Sequence, residues 1–176
     1  QTTGLWASSY LVINRGLSSH TAASFVGLFY IGITGGRFLS GFIADKFGDK
    51  KMIRLGICGI LIGVVFLLIP VNQLFPSYKM LKEMFPLIGL GFVGFGCAPI
   101  YPSVIHATPD NFGKENSQAI IGIQMAFAYM GVIIMPALFG IISQYITIAL
   151  FPIYIMLITL VMFIMSEKMN KLKSNR

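Results

Sequence analysis

With 176 residues, 56% of them hydrophobic and only 11% charged, and a mean hydropathy of +0.80, the chain is too apolar to be an ordinary water-soluble domain. Its formal charge of +7 sits in the connections between apolar runs rather than on one continuous face, which makes it a topology signal and excludes nucleic acid as a partner. Cys58 and Cys97 fall inside apolar runs at no metal-ligand spacing, so they read as small packing residues, and neither a metal nor a cofactor is implied.

A spanning helix needs about 20 mostly apolar residues. Residues 1–13 are apolar but too short to cross a bilayer unaided, and they read as the end of a truncated span. Complete spans are predicted over 21–43, 52–70, 86–105, 117–142 and 147–165, followed by a basic tail over 166–176. The last two spans form one long apolar run that the polar break Ser143-Gln144-Tyr145 divides. A β-barrel would alternate in polarity, whereas the stretch from Ile60 to Ile69 is apolar throughout. Helices satisfy every backbone N–H and C=O within their own segment. The expected fold is therefore all-α, a polytopic transmembrane helical bundle.

Glycines fall at helix-packing spacings: Gly32 with Gly36, Gly59 with Gly63, and Gly89, Gly91, Gly94 and Gly96 along the third complete span. Pro99, Pro102, Pro136 and Pro152 lie inside predicted spans, where each removes a backbone donor and predicts a kink. Pro99 and Pro102 bracket Ile100-Tyr101, and an irregular backbone there is suited to line a cavity.

If the connections alternate sides, one side carries nine Lys and Arg (46, 50, 51, 54, 114, 168, 171, 173 and 176). The other carries three, Arg15, Lys79 and Lys82. The positive-inside rule makes the richer side cytoplasmic, with the C-terminus on it, and the membrane expected is the plasma membrane.

The loop after the first complete span reads Gly41-Phe42-Ile43-Ala44-Asp45-Lys46-Phe47-Gly48-Asp49-Lys50-Lys51. It resembles the major facilitator superfamily loop signature G-x-x-x-D-[RK]-x-G-[RK]-[RK], departing from it at Asp49, where a basic residue is usual. Gly36-Arg37, Tyr101-Pro102-Ser103 and Gly122-Ile123-Gln124-Met125-Ala126 with Tyr129 look like elements of the fucose permease-like branch. The resemblance implies a twelve-span transporter in two six-helix halves, of which this chain is the C-terminal half with its first helix truncated. It further implies secondary active transport of a small solute, a sugar, by alternating access with proton coupling. The predicted spans hold no Asp or Glu, so the coupling carboxylate would belong to the missing N-terminal half. The partners so implied are the substrate, the lipid bilayer and that other half.

In the signature, Gly41 permits close helix contact, Asp45 accepts hydrogen bonds at a neighbouring helix N-terminus, Gly48 allows a tight turn, and Lys50 matches the last basic position. Arg37 lies about 9 Å along the helix from Ile43 and suits a gating role with them. Trp6 and Tyr10 share a helical face with Thr3 that is suited either to a substrate cavity or to an outer aromatic belt. Tyr101 occupies the position of a substrate-contacting tyrosine in the resembled branch. Gln124 and Tyr129 lie about 140° apart on a helix, and Gln124, which shares its face with Ala128 and Gly131, is the better cavity residue. His106 reads as a surface histidine.

An intramembrane enzyme lacks its motif here: there is no H-E-x-x-H and no Cys–His pair at ligand spacing. A non-transporting sensor or half-size subunit is the alternative reading. Asp45→Asn is expected to slow transport while leaving substrate affinity intact. Uptake rates compared with equilibrium binding check this, and equal loss of both in a stable protein would count against it.

Overall fold

Lipid offers the backbone no hydrogen-bond partners, so each apolar run closes its own i to i−4 ladder and continues until something interrupts it. The elements are α1 (Thr2–Ile13), α2 (Ser19–Phe47), α3 (Asp49–Leu68), α4 (Val71–Leu74) and α5 (Lys79–Cys97). They continue as α6 (Ile100–His106), α7 (Thr108–Phe112), α8 (Lys114–Tyr145), a 3₁₀ turn (Ile148–Leu150) and α9 (Phe151–Ser174). The computed structural model describes residues 1–74 and 77–174. Arg176 and the side chains of Asp45, Lys79 and Lys173 lie outside the described residues, as do the side chains at 44, 72 and 174. Among the described residues there is no strand.

Among the described residues, five segments are long and apolar enough to cross a membrane: Ser19–Ile43, Asp49–Leu68, Met80–His106, Lys114–Tyr145 and Ile148–Leu172. The third and fourth outrun their predicted spans at both ends, the first begins earlier and ends at the same residue, the second is shifted toward the N-terminus, and the fifth ends later. A helix stops at a backbone interruption, not where hydropathy falls. Gly48, at φ +75°, separates α2 from α3, and Gly113, at φ +87°, separates α7 from α8. Side chains rarely adopt that region. Asp49 and Glu115 follow these glycines in the first turns of α3 and α8, where a negative charge suits the helix dipole. At the other end of the chain, α9 runs through Ser174, so Lys168 and Lys171 ride on a helix instead of a separate tail.

The prolines act unequally. Pro99 has no N–H for the Phe95 carbonyl, so Ala98 N–H turns to it at 3.3 Å, and the helix breaks between Cys97 and Ile100. Pro136 stays within a continuous α8. Pro152, expected to kink a span, instead occupies the first turn of α9, where no intrahelical N–H is needed.

In the interior, α5 runs between α2 and α3 along glycine seams. A Cβ on Gly63 would lie 2.5 Å from the Gly89 carbonyl oxygen and 2.7 Å from Val93 N, and one on Gly96 would lie 2.5 Å from the Gly56 oxygen. Gly32 meets the Gly91 oxygen at 2.8 Å in the same way, and Gly94 abuts the Phe29 backbone. An aromatic cluster joins α1, α8 and α9. Phe139 is fully buried and contacts Trp6 edge-on at 5.5 Å, Phe151 at 5.7 Å and Tyr154 at 5.1 Å.

Gly63→Ala is expected to destabilise the protein by about 1–3 kcal/mol, because the backbone it faces cannot move aside cheaply. Gly91→Ala, whose Cβ would meet nothing within 4 Å, is expected to be neutral. Thermal unfolding in detergent checks the pair.

Candidate functional site

Several cavities open among the described residues, and two of them are lined by Tyr101 and by the signature candidates, respectively. The inner one, about 480 Å³, lies between α1, α3, α5, α6, α8 and α9. Its polar lining comes from Gln1, Thr2, Thr3, Tyr101 and Thr159, and Ala128 and Gly131 of α8 supply a small-residue wall. Among the described residues no charged side chain lines it. The Thr159 hydroxyl is turned to its own helix, donating to the Ile155 carbonyl at 2.8 Å. Tyr101 reaches the cavity because the break at Pro99 starts a new helix there, and it remains 46% exposed.

The second cavity, about 560 Å³, lies at the end of the bundle that carries the Gly48 turn. Arg37, Gly41, Gly48 and Lys50 all line it, so four of the five signature-linked candidates converge there. The side chain of the fifth, Asp45, is outside the described residues. A Cβ on Gly41 would meet nothing within 4 Å, so the close helix contact expected of it is not made within this chain. Gly48 does make the tight turn, with its positive φ.

Asp49, the residue that departs from the signature, has a specific role. Its Oδ2 lies 2.9 Å from His106 Nδ1, tying the start of α3 to the end of α6. His106, expected to be an ordinary surface histidine, is largely exposed yet held by this contact. A basic residue at 49 would supply no acceptor for it. Nearby, Arg54 of α3 grips Glu167 of α9 with two hydrogen bonds of 2.7 and 2.9 Å. Glu167 lies beyond the predicted span, but the longer α9 carries it against α3.

The other sequence candidates separate. Thr3, Trp6 and Tyr10 share a face of α1, but only Thr3 lines the inner cavity. Trp6 turns to α8, where its indole Nε1 donates to the Pro136 carbonyl at 3.0 Å. Tyr10 is 2% exposed, with its ring against Phe151 at 5.1 Å and its hydroxyl donating to the Leu67 carbonyl at 2.9 Å. Gln124 is tied to α7 by a 3.1 Å hydrogen bond from the Thr108 hydroxyl, one turn away from the cavity strip that Ala128 begins. Tyr129, 68% exposed, lines neither cavity.

Sequence reasoning missed Arg15, which it counted only as a charge. Its guanidinium is buried at the C-terminal end of α3. Nη1 donates to the Ile69 carbonyl at 2.8 Å, Nη2 to the Leu67 carbonyl, and Nε to the Tyr10 hydroxyl at 3.1 Å. Leu67 lies in the last turn of α3, where carbonyls lack intrahelical partners and a cation suits the helix dipole; the Ile69 carbonyl also accepts from Val71 N–H at 2.8 Å. Its position one residue after Asn14, at the end of an apolar run, was the available signal. Tyr10→Phe is expected to cost about 1 kcal/mol of stability and to leave ligand affinity unchanged, as thermal unfolding and binding measurements can check.

The family model of the Major Facilitator Superfamily matches residues 2–174, nearly the whole chain. No curated protein matches the chain, and neither does any solved structure. An all-α bundle with five membrane-length segments, a signature turn at Gly48 and a family match of this extent lead to one conclusion: the chain belongs to the Major Facilitator Superfamily of membrane transporters.

Proposed function

We propose that the chain acts as the C-terminal half of a secondary active transporter, carrying a small neutral solute of the sugar class by alternating access. The observation that carries this reading is the inner cavity. It has room for a small solute, no charged side chain among the described residues of its lining, threonine hydroxyls on α1 and a half-exposed aromatic ring, Tyr101, at a helix break. A sugar ring presents an apolar face to an aromatic side chain and hydroxyls to hydrogen-bonding groups. Rocking of two halves around such a site exposes it to one side of the membrane at a time.

In this reading Tyr101 and Thr3 contact the substrate, and Gln124 holds the cavity-facing strip of α8 against α7. Arg37, Gly41, Asp45, Gly48 and Lys50 belong to the gate at the cytoplasmic end. That orientation, in the plasma membrane with the C-terminus inside, follows from the excess of Lys and Arg on the connections at that end. Proton coupling needs a carboxylate in a poorly solvated site. The acidic residues on the described spans, Asp49, Glu83, Glu115 and Glu167, all sit near helix ends, so the coupling group is assigned to the other half.

Uptake of labelled hexoses into liposomes holding the full transporter, with proton movement followed in parallel, tests the reading. Tyr101→Ala is expected to raise KM about fivefold, the worth of roughly 1 kcal/mol of ring contact, with a smaller effect on maximal rate. Absence of uptake for any neutral sugar by active, folded protein would overturn the substrate class. An unaltered KM in Tyr101→Ala would remove the cavity from the transport route.

A further inference from the structure

Helix α8 is anchored unevenly. Its buried residues are Ser117 near the start and then Pro136 and Phe139, so every residue between Ser117 and Pro136 keeps some exposure. Within that stretch Ala128 and Gly131, with Met135 following, face the inner cavity. Pro136 cannot donate to the Val132 carbonyl, which leaves a gap in the helix ladder where the loosely packed arm meets the buried end.

One turn beyond the Val132 carbonyl, two side chains from two other helices donate to two consecutive carbonyls. Trp6 of α1 donates Nε1–H to Pro136 O at 3.0 Å, and Tyr154 of α9 donates its hydroxyl to Met135 O at 2.9 Å. A carbonyl oxygen accepts two hydrogen bonds, so both can be made without disturbing the helix. Phe139, one turn on, is wedged between the same two rings, 5.5 Å from Trp6 and 5.1 Å from Tyr154. Gly140 completes the fit, since a Cβ there would lie 3.1 Å from Trp6 Cζ2. The buried end of α8 is thus gripped on both sides, while the arm before Pro136, tied to α7 at Gln124, forms one wall of the cavity.

We propose that Trp6 and Tyr154 are positioning residues of a hinge at Pro136, about which the arm of α8 swings to open and close the inner cavity. The hinge rests on reading that cavity as the substrate route. Trp6 accordingly acts through α8 and not by touching the solute.

Nitroxide distance measurements on the full protein test the proposal without any substrate, so a wrong substrate class cannot mimic its failure. Cys58, exposed on α3, is one label site, with Cys97 and any other cysteine replaced by alanine. The second site is Ile123→Cys on the arm or Tyr145→Cys beyond the hinge, both exposed positions. Tyr154→Phe deletes a donor and keeps the ring; Trp6→Phe deletes a donor and keeps an aromatic ring of smaller size. In either variant the arm pair is expected to show its minor distances populated about threefold more, the equivalent of ~0.6 kcal/mol for an interhelical hydrogen bond in a membrane protein. The Cys58–Tyr145→Cys pair is expected to keep its distribution. An unchanged arm pair in both variants, or equal changes in the two pairs, would overturn the hinge. If one variant does not fold, the other gives the same reading.

Discussion

The close approach of α5 to α2 and α3 is the contact on which the rest of the bundle depends. Lipid is as apolar as the helices, so burying leucine against leucine gives little drive to associate. What remains is dispersion, and that is effective only at short range. Glycines at 56, 63, 89 and 96 bring α3 and α5 into backbone contact, and Gly32 and Gly94 do the same between α2 and α5. With α5 held on both sides, α3 and α6 become neighbours at the end carrying Gly48, and the inner cavity gains a fixed wall through Val93 and Cys97.

The second organising constraint is the missing proline N–H. At Pro99 it ends α5 and lets α6 start afresh, which carries Tyr101 to the inner cavity and His106 to Asp49. One backbone break therefore contributes to both cavities. At Pro136 the helix stays continuous, and side chains from α1 and α9 donate to the carbonyls of Pro136 and Met135. The two prolines differ in what surrounds them, not in what they lack.

Polar side chains in this bundle are mostly spent on backbone carbonyls. Arg15 caps the end of α3, Tyr10 joins it, and Trp6 and Tyr154 bind α8. In a low-dielectric interior an unpaired donor is costly, and carbonyls offer acceptors wherever a helix passes. This explains why residues that look functional in sequence, notably Tyr10, are drawn into structural roles. It also explains why the inner cavity is left with few polar groups, chiefly threonines and Tyr101.

Several features were legible in the residues themselves. Apolar runs of membrane length dictate helices, glycines at four-residue spacing mark the close seams, and the Gly41–Lys51 loop identifies the superfamily; all three depend on local composition and spacing. Helix ends were less legible, because Gly48 and Gly113 stop the helices while hydropathy alone does not. The division of the α1 face was not legible. Thr3, Trp6 and Tyr10 repeat at helical spacing, but which meets a cavity, which meets α8 and which meets Arg15 depends on how α1 crosses three other helices. The pairing of Asp49 with His106 likewise joins residues far apart in the chain. Local sequence thus determined the secondary structure, membrane placement and family. The tertiary structure alone decided which polar groups were consumed in packing, because hydrogen-bond partners are chosen by proximity in space.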